Sequence, residues 1–208
     1  MVADSWPQLH DRTSKTPFDS HYFWMGGWAM RRILSQRPSR HVDVGSQVMF
    51  INLLSAVIPV TFIDYRPLEI QIEGLVCRSG NILDLPFEGQ SIESLSCLSV
   101  AEHIGLGRYG DPLNPEGTRH ACAELQRVLA PGGSLYLAVP VGLPRLCFNA
   151  HRIHTPQTIV QYFPDLELVE LSGVHDDSRY VQHVSIDEFA HSRYACGMFH
   201  FRRPPNRN

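Results

Sequence analysis

Residues 41–65 read HVDVGSQVMFINLLSAVIPVTFIDY, and this stretch decides the fold. His41–Gly45 is a short apolar run entering a turn. Val48–Ile58 is apolar on every side and of helical length, which predicts a buried helix. Pro59 ends it, and Val60–Tyr65 is β-branched and aromatic, as strands are. Strand, glycine turn, helix and strand open a parallel sheet, and such sheets bind ligands beyond the carboxyl ends of their strands. Gly45 lets the backbone turn tightly and come close to a ligand. Asp64 closes the second strand 21 residues beyond Asp43. An acidic residue about 20 residues on is where a ribose diol is hydrogen-bonded. The plainer roles open to the two aspartates are a cap for the turn and a solvated strand end.

The same alternation continues outward. Leu75–Arg78 and Ile92–Val100 read as further strands. Glu116–Leu129 carries Ala121, Cys122, Leu125, Val128 and Leu129 on one stripe and charged residues on the other, which predicts a helix covering a sheet. Pro131-Gly132-Gly133 stops it, and Ser134–Val141 is a continuous apolar strand of the kind buried on both faces. Thr155–Phe163, Leu166–Val174 and Gly197–Phe201 add helix, strand and strand. The order implies a parallel sheet wrapped by helices. Upstream, Phe18–Ser35 reads as one helix or a pair, because Gly26 and Gly27 interrupt it. The expected organisation is a helical extension over 1–40, one domain over 41–203 and a short tail over 204–208.

Composition removes several classes. The chain has 208 residues, 43% of them hydrophobic and 19% charged, which fits one ordinary globular domain. A net charge of −3 lacks the basic excess of a nucleic-acid binder. No apolar stretch is long enough to span a bilayer, and Met1–Leu9 has no basic segment followed by an apolar run, so no membrane association and no signal peptide are expected. Five cysteines at irregular spacing predict reduced thiols in a cytoplasmic protein. Eleven histidines form no His-Glu-x-x-His pattern, and no Cys-x-x-Cys occurs, so no metal site is expected.

Five segments stand in a set order: Asp43-Val44-Gly45; Asp64; Gly80-Asn81-Ile82-Leu83-Asp84-Leu85-Pro86-Phe87; Ala101-Glu102-His103-Ile104; and Arg127-Val128-Leu129-Ala130-Pro131-Gly132-Gly133. Over about residues 41–141 they resemble the motifs of class I S-adenosylmethionine-dependent methyltransferases. More narrowly, the segments 105–111 (GLGRYGD), 139–142 (VPVG) and 149–152 (NAHR) resemble a family of uncharacterised function, the domain of unknown function 268. The resemblance implies a Rossmann-like three-layer α/β sandwich, its mostly parallel seven-stranded sheet ending in an antiparallel C-terminal strand. It also implies S-adenosylmethionine as cofactor. Asp43 and Gly45 would then lie against its methionine part, with Ser46 and Gln47 completing the loop. Asp64 would hold the ribose, Tyr65 would lie beside the adenine, and Asn81 and Ile82 would border it. Ser99 and Val100 would face the methyl group and the acceptor.

The family's loop usually reads Gly-x-Gly, whereas here it reads Gly45-Ser46-Gln47. If the third position needs a left-handed backbone, glutamine there costs about 1–2 kcal/mol. The loop then bends differently, or Gln47 bonds the cofactor, or the chain is a non-catalytic binding module on a methyltransferase fold. A nicotinamide oxidoreductase is a third reading, weakened because position 50 is Phe where that fingerprint wants glycine.

Two loops after strand ends, 103–117 and 143–154, should rim the cleft. His103 and His151 are candidate general bases, because imidazole titrates near neutrality. Arg108, Tyr109, Asn149 and Arg152 are candidate contacts for a small-molecule acceptor, sugar-like or anionic. Glu102 either braces the turn after its strand or belongs to the site. Self-association as a homodimer is left open.

Overall fold

The computed structural model describes residues 4–7 and 9–206, so part of the N-terminal stretch and the end of the expected tail lie outside the described residues. The chain order is α1 (Ser20–Gln36), β1 (His41–Val44), α2 (Val48–Ser55), β2 (Val60–Asp64), β3 (Leu75–Ser79) and β4 (Ile92–Leu98). There follow a 3-10 turn (Ala101–His103), α3 (Gly117–Val128), β5 (Leu129–Val141), β6 (Arg145–Cys147) and β7 (His151–Ile153). α4 (Pro156–Gln161), β8 (Glu167–Val174), β9 (Tyr180–Val181) and β10 (Ala195–Arg202) complete the chain. The main sheet runs β3-β2-β1-β4-β5-β10-β8-β9. β3 to β5 are parallel, and β10 inserts antiparallel between β5 and β8. The seven expected strands are present, and the two-residue β9 extends the sheet to eight.

Strand alternation divides the core into two layers. On one side Val42, Val44, Leu95, Leu135 and Leu137 pack with Ala121, Cys122 and Leu125 of α3 and Ile159 of α4. On the other, Phe62, Tyr136 and Met198 meet Trp28 and Ile33 of α1 and Phe50, Ile51 and Leu54 of α2.

α1 is one continuous helix despite Gly26-Gly27. Asp19 caps it by accepting from the Tyr22 N–H at 3.1 Å. The glycines cost about 1 kcal/mol each, and burial of Met25, Trp28, Ala29 and Ile33 on one stripe offsets this. The expectation of a helix buried on every side is corrected at α2. Phe50, Ile51 and Leu54 are covered, but Val48, Met49 and Leu53 are exposed. Uniform apolarity cannot say which face meets the sheet, and among the described residues no further layer lies outside α2.

Pro131-Gly132-Gly133 does not sit outside the strand, as expected, but bulges within it. The β4–β5 register jumps from Ile92↔Leu129 to Ser94↔Ser134, with Gly132 at φ 77°. The 143–154 loop contains the β6–β7 hairpin. Arg202 ends β10 and pairs with Ser134 of β5. Among the described residues no helix is long and apolar enough to cross a membrane.

Candidate functional site

The site lies at the carboxyl ends of β1, β2 and β4 and is built on the turn Gly45-Ser46-Gln47. Gly45 takes φ 69° and donates its N–H to Ile63 O at 2.9 Å. A β-carbon there would stand 3.1 Å from the Val100 side chain and 3.7 Å from Asp64 Oδ2. Gln47, by contrast, has φ −58°, open to any residue. The left-handed requirement therefore falls on Gly45 alone, and the missing second glycine carries no strain. Gly45→Ala is expected to destabilise by about 1–2 kcal/mol and to narrow the cleft; urea denaturation measures the first, ligand binding the second.

Asp43 lies beneath this turn, fully buried, and not on a cavity wall. Its Oδ1 accepts the Ser46 N–H at 3.0 Å, and its Oδ2 accepts the Ser96 hydroxyl. Ser46 Oγ accepts from Leu98 N–H at 3.0 Å, tying the turn to β4. Asp43 thus acts as a cap. Burial pushes its carboxyl up to about 6, against the hydrogen bonds from Ser96 and Ser46. Behind it, His41 joins Ser94 through Nδ1 and Ser96 through Nε2, each at 2.8 Å. Ser96 gives its only proton to Asp43, so His41 Nε2 must donate and Nδ1 accept. Burial lowers the imidazole to about 3, keeping it neutral.

Above the turn is a cavity of about 360 Å3 whose wall includes Gly45, Asp64, Tyr65, Asn81, Ile82, Ser99 and Val100. The size is within the range of small-molecule sites. Asp64 Oδ1 accepts the Arg66 N–H at 2.7 Å, closing a turn and leaving Oδ2 on the Gly45 side. Asn81 Oδ1 likewise accepts the Leu83 N–H at 2.9 Å. Tyr109 roofs the cavity, its ring carrying the guanidinium of Arg66 at 4.7 Å and of Arg108 at 5.2 Å.

A second cavity, about 550 Å3, shares Gly45, Ser99, His103 and Tyr109 with the first and adds Gln47, Arg108, His151, Tyr22 and Tyr194. Gln47 thus faces this cavity. His103 stands between the two. Its Nδ1 is 2.6 Å from Ala150 O, so Nδ1 carries the proton and Nε2 is the free lone pair. Burial lowers its pKa, more than the Ala150 bond raises it, so the ring is a neutral imidazole. His151 lies 6.5 Å from it, centroid to centroid, and burial also lowers its pKa.

Two expected acceptor contacts are placed elsewhere. Arg152 is buried, donating to Ile104 O and, at 2.8 Å, to Asn114 O. It braces the 104–114 loop, because β7 turns it inward onto these carbonyls and, at 3.5 Å, the Thr118 hydroxyl. Asn149 sits exposed at the hairpin tip, away from the walls of both cavities. Sequence reasoning missed Arg66, Tyr22 and Tyr194, which the fold brings in from distant segments and for which no local motif exists.

The structure is similar to the N-methyltransferase NodS from Bradyrhizobium japonicum solved with S-adenosyl-l-homocysteine, at TM-score 0.62 and 17% identity, covering 94% of each chain. It is similar to the [4+2]-cyclase SpnF at TM-score 0.67 and 15% identity, over 99% of this chain and 90% of that one. YcgJ from Bacillus subtilis matches at TM-score 0.62 and 11% identity, over 88% of this chain and all of the other (100%). No curated protein sequence matches the chain. Sheet order and neighbours together show a Rossmann-like α/β fold, the one that the N-methyltransferase NodS also has. Residues 87–192 match the family described as Caenorhabditis protein of unknown function, DUF268, and the chain belongs to that family.

Proposed function

We propose that the chain binds S-adenosylmethionine and transfers its methyl group to a small-molecule acceptor, sugar-like or anionic. The observation that carries this reading is the 360 Å3 cavity, with Gly45 and the Asp64 carboxylate on one wall and Asn81 and Ile82 on it too. Gly45 leaves room where any side chain would meet Val100, and Asp64 supplies a carboxylate for two ribose hydroxyls. The unstrained Gln47 favours a working loop over a degenerate one. Fold alone does not carry activity, since a cyclase shares it.

The cofactor supplies an activated methyl group on a sulfonium. The chain's own part is positional. Ser99 and His103 border both cavities, so an acceptor in the second would stand next to a methyl group in the first, and alignment of the two would provide most of the acceleration in a displacement. Tyr109, with two arginines against its ring, covers part of the first cavity. His103, neutral and with Nδ1–H fixed on Ala150, presents Nε2 to take a proton from the acceptor.

S-adenosylhomocysteine at 100 times its dissociation constant should stabilise the fold by about 2.7 kcal/mol, raising Tm by roughly 5–10 °C for a chain of this size. Differential scanning fluorimetry reads this. An unchanged Tm at millimolar ligand would overturn the proposal, and a rise with NADH alone would favour a nicotinamide enzyme.

A further inference from the structure

Glu102 is a buried carboxyl left unfinished. Its Oε1 accepts the Ser99 hydroxyl at 2.7 Å, and its Oε2 has no partner although the residue is 1% exposed. The other buried glutamate, Glu170, shows what a structural carboxylate looks like here, with Trp28, Ser172 and both arms of Arg32 bonded to it. Buried anions are normally completed in that way. Ser99 itself is held at φ 61°, a conformation that costs a side-chain-bearing residue energy. It lies on the wall of both cavities, and of a third of about 490 Å3 below the start of α1. The same Glu102 Oε1 is 3.6 Å from His103 Nε2.

Building on the methyl-transfer reading, we propose that Glu102 is a positioning residue: it holds the Ser99 hydroxyl at the cavity junction and receives the positive charge arriving on His103 when a hydroxyl acceptor gives up its proton. In that step the acceptor O–H bond breaks and its proton goes to His103 Nε2. The oxygen's electron pair forms the bond to the methyl carbon, while the electrons of the broken carbon–sulfur bond stay on sulfur. The unit of positive charge lost at sulfur thus reappears as imidazolium beside the Glu102 carboxylate, and the site ends with the charge it began with. With its own proton given to Glu102, Ser99 offers lone pairs to the cavity, which select an acceptor carrying an O–H. A carboxylate acceptor brings no proton and has no use for this arrangement.

The surroundings leave the pair to itself. Burial raises the Cys97, Cys122, Tyr194 and Cys196 pKa values, so these neighbours of Glu102 stay neutral. The charged groups facing the pair are Arg108 and Asp111, and His151 faces His103 as a second neutral ring. Burial pushes Glu102 up to about 7, so its carboxylate form prevails above that pH.

The test is an NMR titration of the His103 imidazole in protein saturated with S-adenosylhomocysteine, the resonance being assigned by its loss in His103→Asn. In Glu102→Gln the midpoint should fall by about one pH unit, a tenfold loss of basicity. An unchanged midpoint with ligand still bound overturns the proposal, whereas failure of the wild type to bind ligand overturns the methyl-transfer reading beneath it. Near-UV circular dichroism of Glu102→Gln confirms packing, and Glu102→Asp should restore part of the shift. With methyl-labelled S-adenosylmethionine, label in alkali-stable methyl ethers is expected; label released by mild alkali as methanol marks a carboxylate acceptor and overturns the acceptor class.

Discussion

Replacing Glu170 by glutamine is expected to cost about 3 kcal/mol at pH 7, the lower end of what breaking a buried ion pair costs. Glu170 on β8 accepts Trp28 Nε1–H at 3.1 Å, Arg32 Nε–H at 2.7 Å and Arg32 Nη2–H at 2.9 Å. All three donors come from α1, so the carboxylate fastens that helix to the sheet. Glutamine keeps the shape but removes the charge, leaving the guanidinium of Arg32 short of its counter-ion. Arg32 is 22% exposed, which keeps the cost from reaching the upper end of the range. The pH dependence has a definite sign. Burial alone would raise the Glu170 pKa, but the hydrogen bonds from Arg32, Ser172 and Trp28 prevail and hold it down at about 2. A carboxylate with a depressed folded pKa stabilises fully above its unfolded value, near 4.5, and loses that contribution as pH falls through 2. Wild type and variant should therefore differ in urea midpoint above pH 5 and converge near pH 2. A constant difference across that range would show that the side chain acts through packing and not through charge.

What the sequence disclosed follows from how local each signal is. β1, the Gly45 turn, α2 and β2 were legible because every feature that makes them is contained in 25 consecutive residues. The same locality misleads at α2, where nine of the eleven residues from 48 to 58 are apolar and look alike although only one face meets the sheet. It misleads again at Gln47. Whether that position needs a left-handed backbone depends on how Asp43 and Ser46 tie the turn to β4, and Ser96 and Leu98 are about 50 residues away. Arg152 read as an acceptor contact because it lies in a loop expected to rim the cleft. Its strand partner Leu146 and the carbonyls of Ile104 and Asn114 fix it instead. Tyr22, Tyr194 and His151 meet at the second cavity only after the chain has folded, as does the missing partner of Glu102. An absent hydrogen bond leaves no trace in sequence.

Asp64→Ala is expected to weaken S-adenosylhomocysteine binding by about 100-fold while the fold remains intact. The carboxylate is at the end of β2, on the cavity wall, with Oδ2 on the Gly45 side. Hydrogen bonds to a charged group contribute about 1.5–3 kcal/mol each, and roughly 2.7 kcal/mol corresponds to the 100-fold loss. Alanine also releases the Arg66 N–H, and Arg66 lies against Tyr109, so part of the loss could come from the roof. Asp64→Asn separates the two effects. Asparagine keeps an oxygen for the Arg66 N–H but gives up the charge. If the ribose is held by the carboxylate, both variants should bind weakly. If the residue serves only to shape the roof, asparagine should bind like wild type. Calorimetric titration of both variants decides between these outcomes. Tight binding by both would remove Asp64 from the site and leave Gly45 and Val100 to account for the cavity by shape alone.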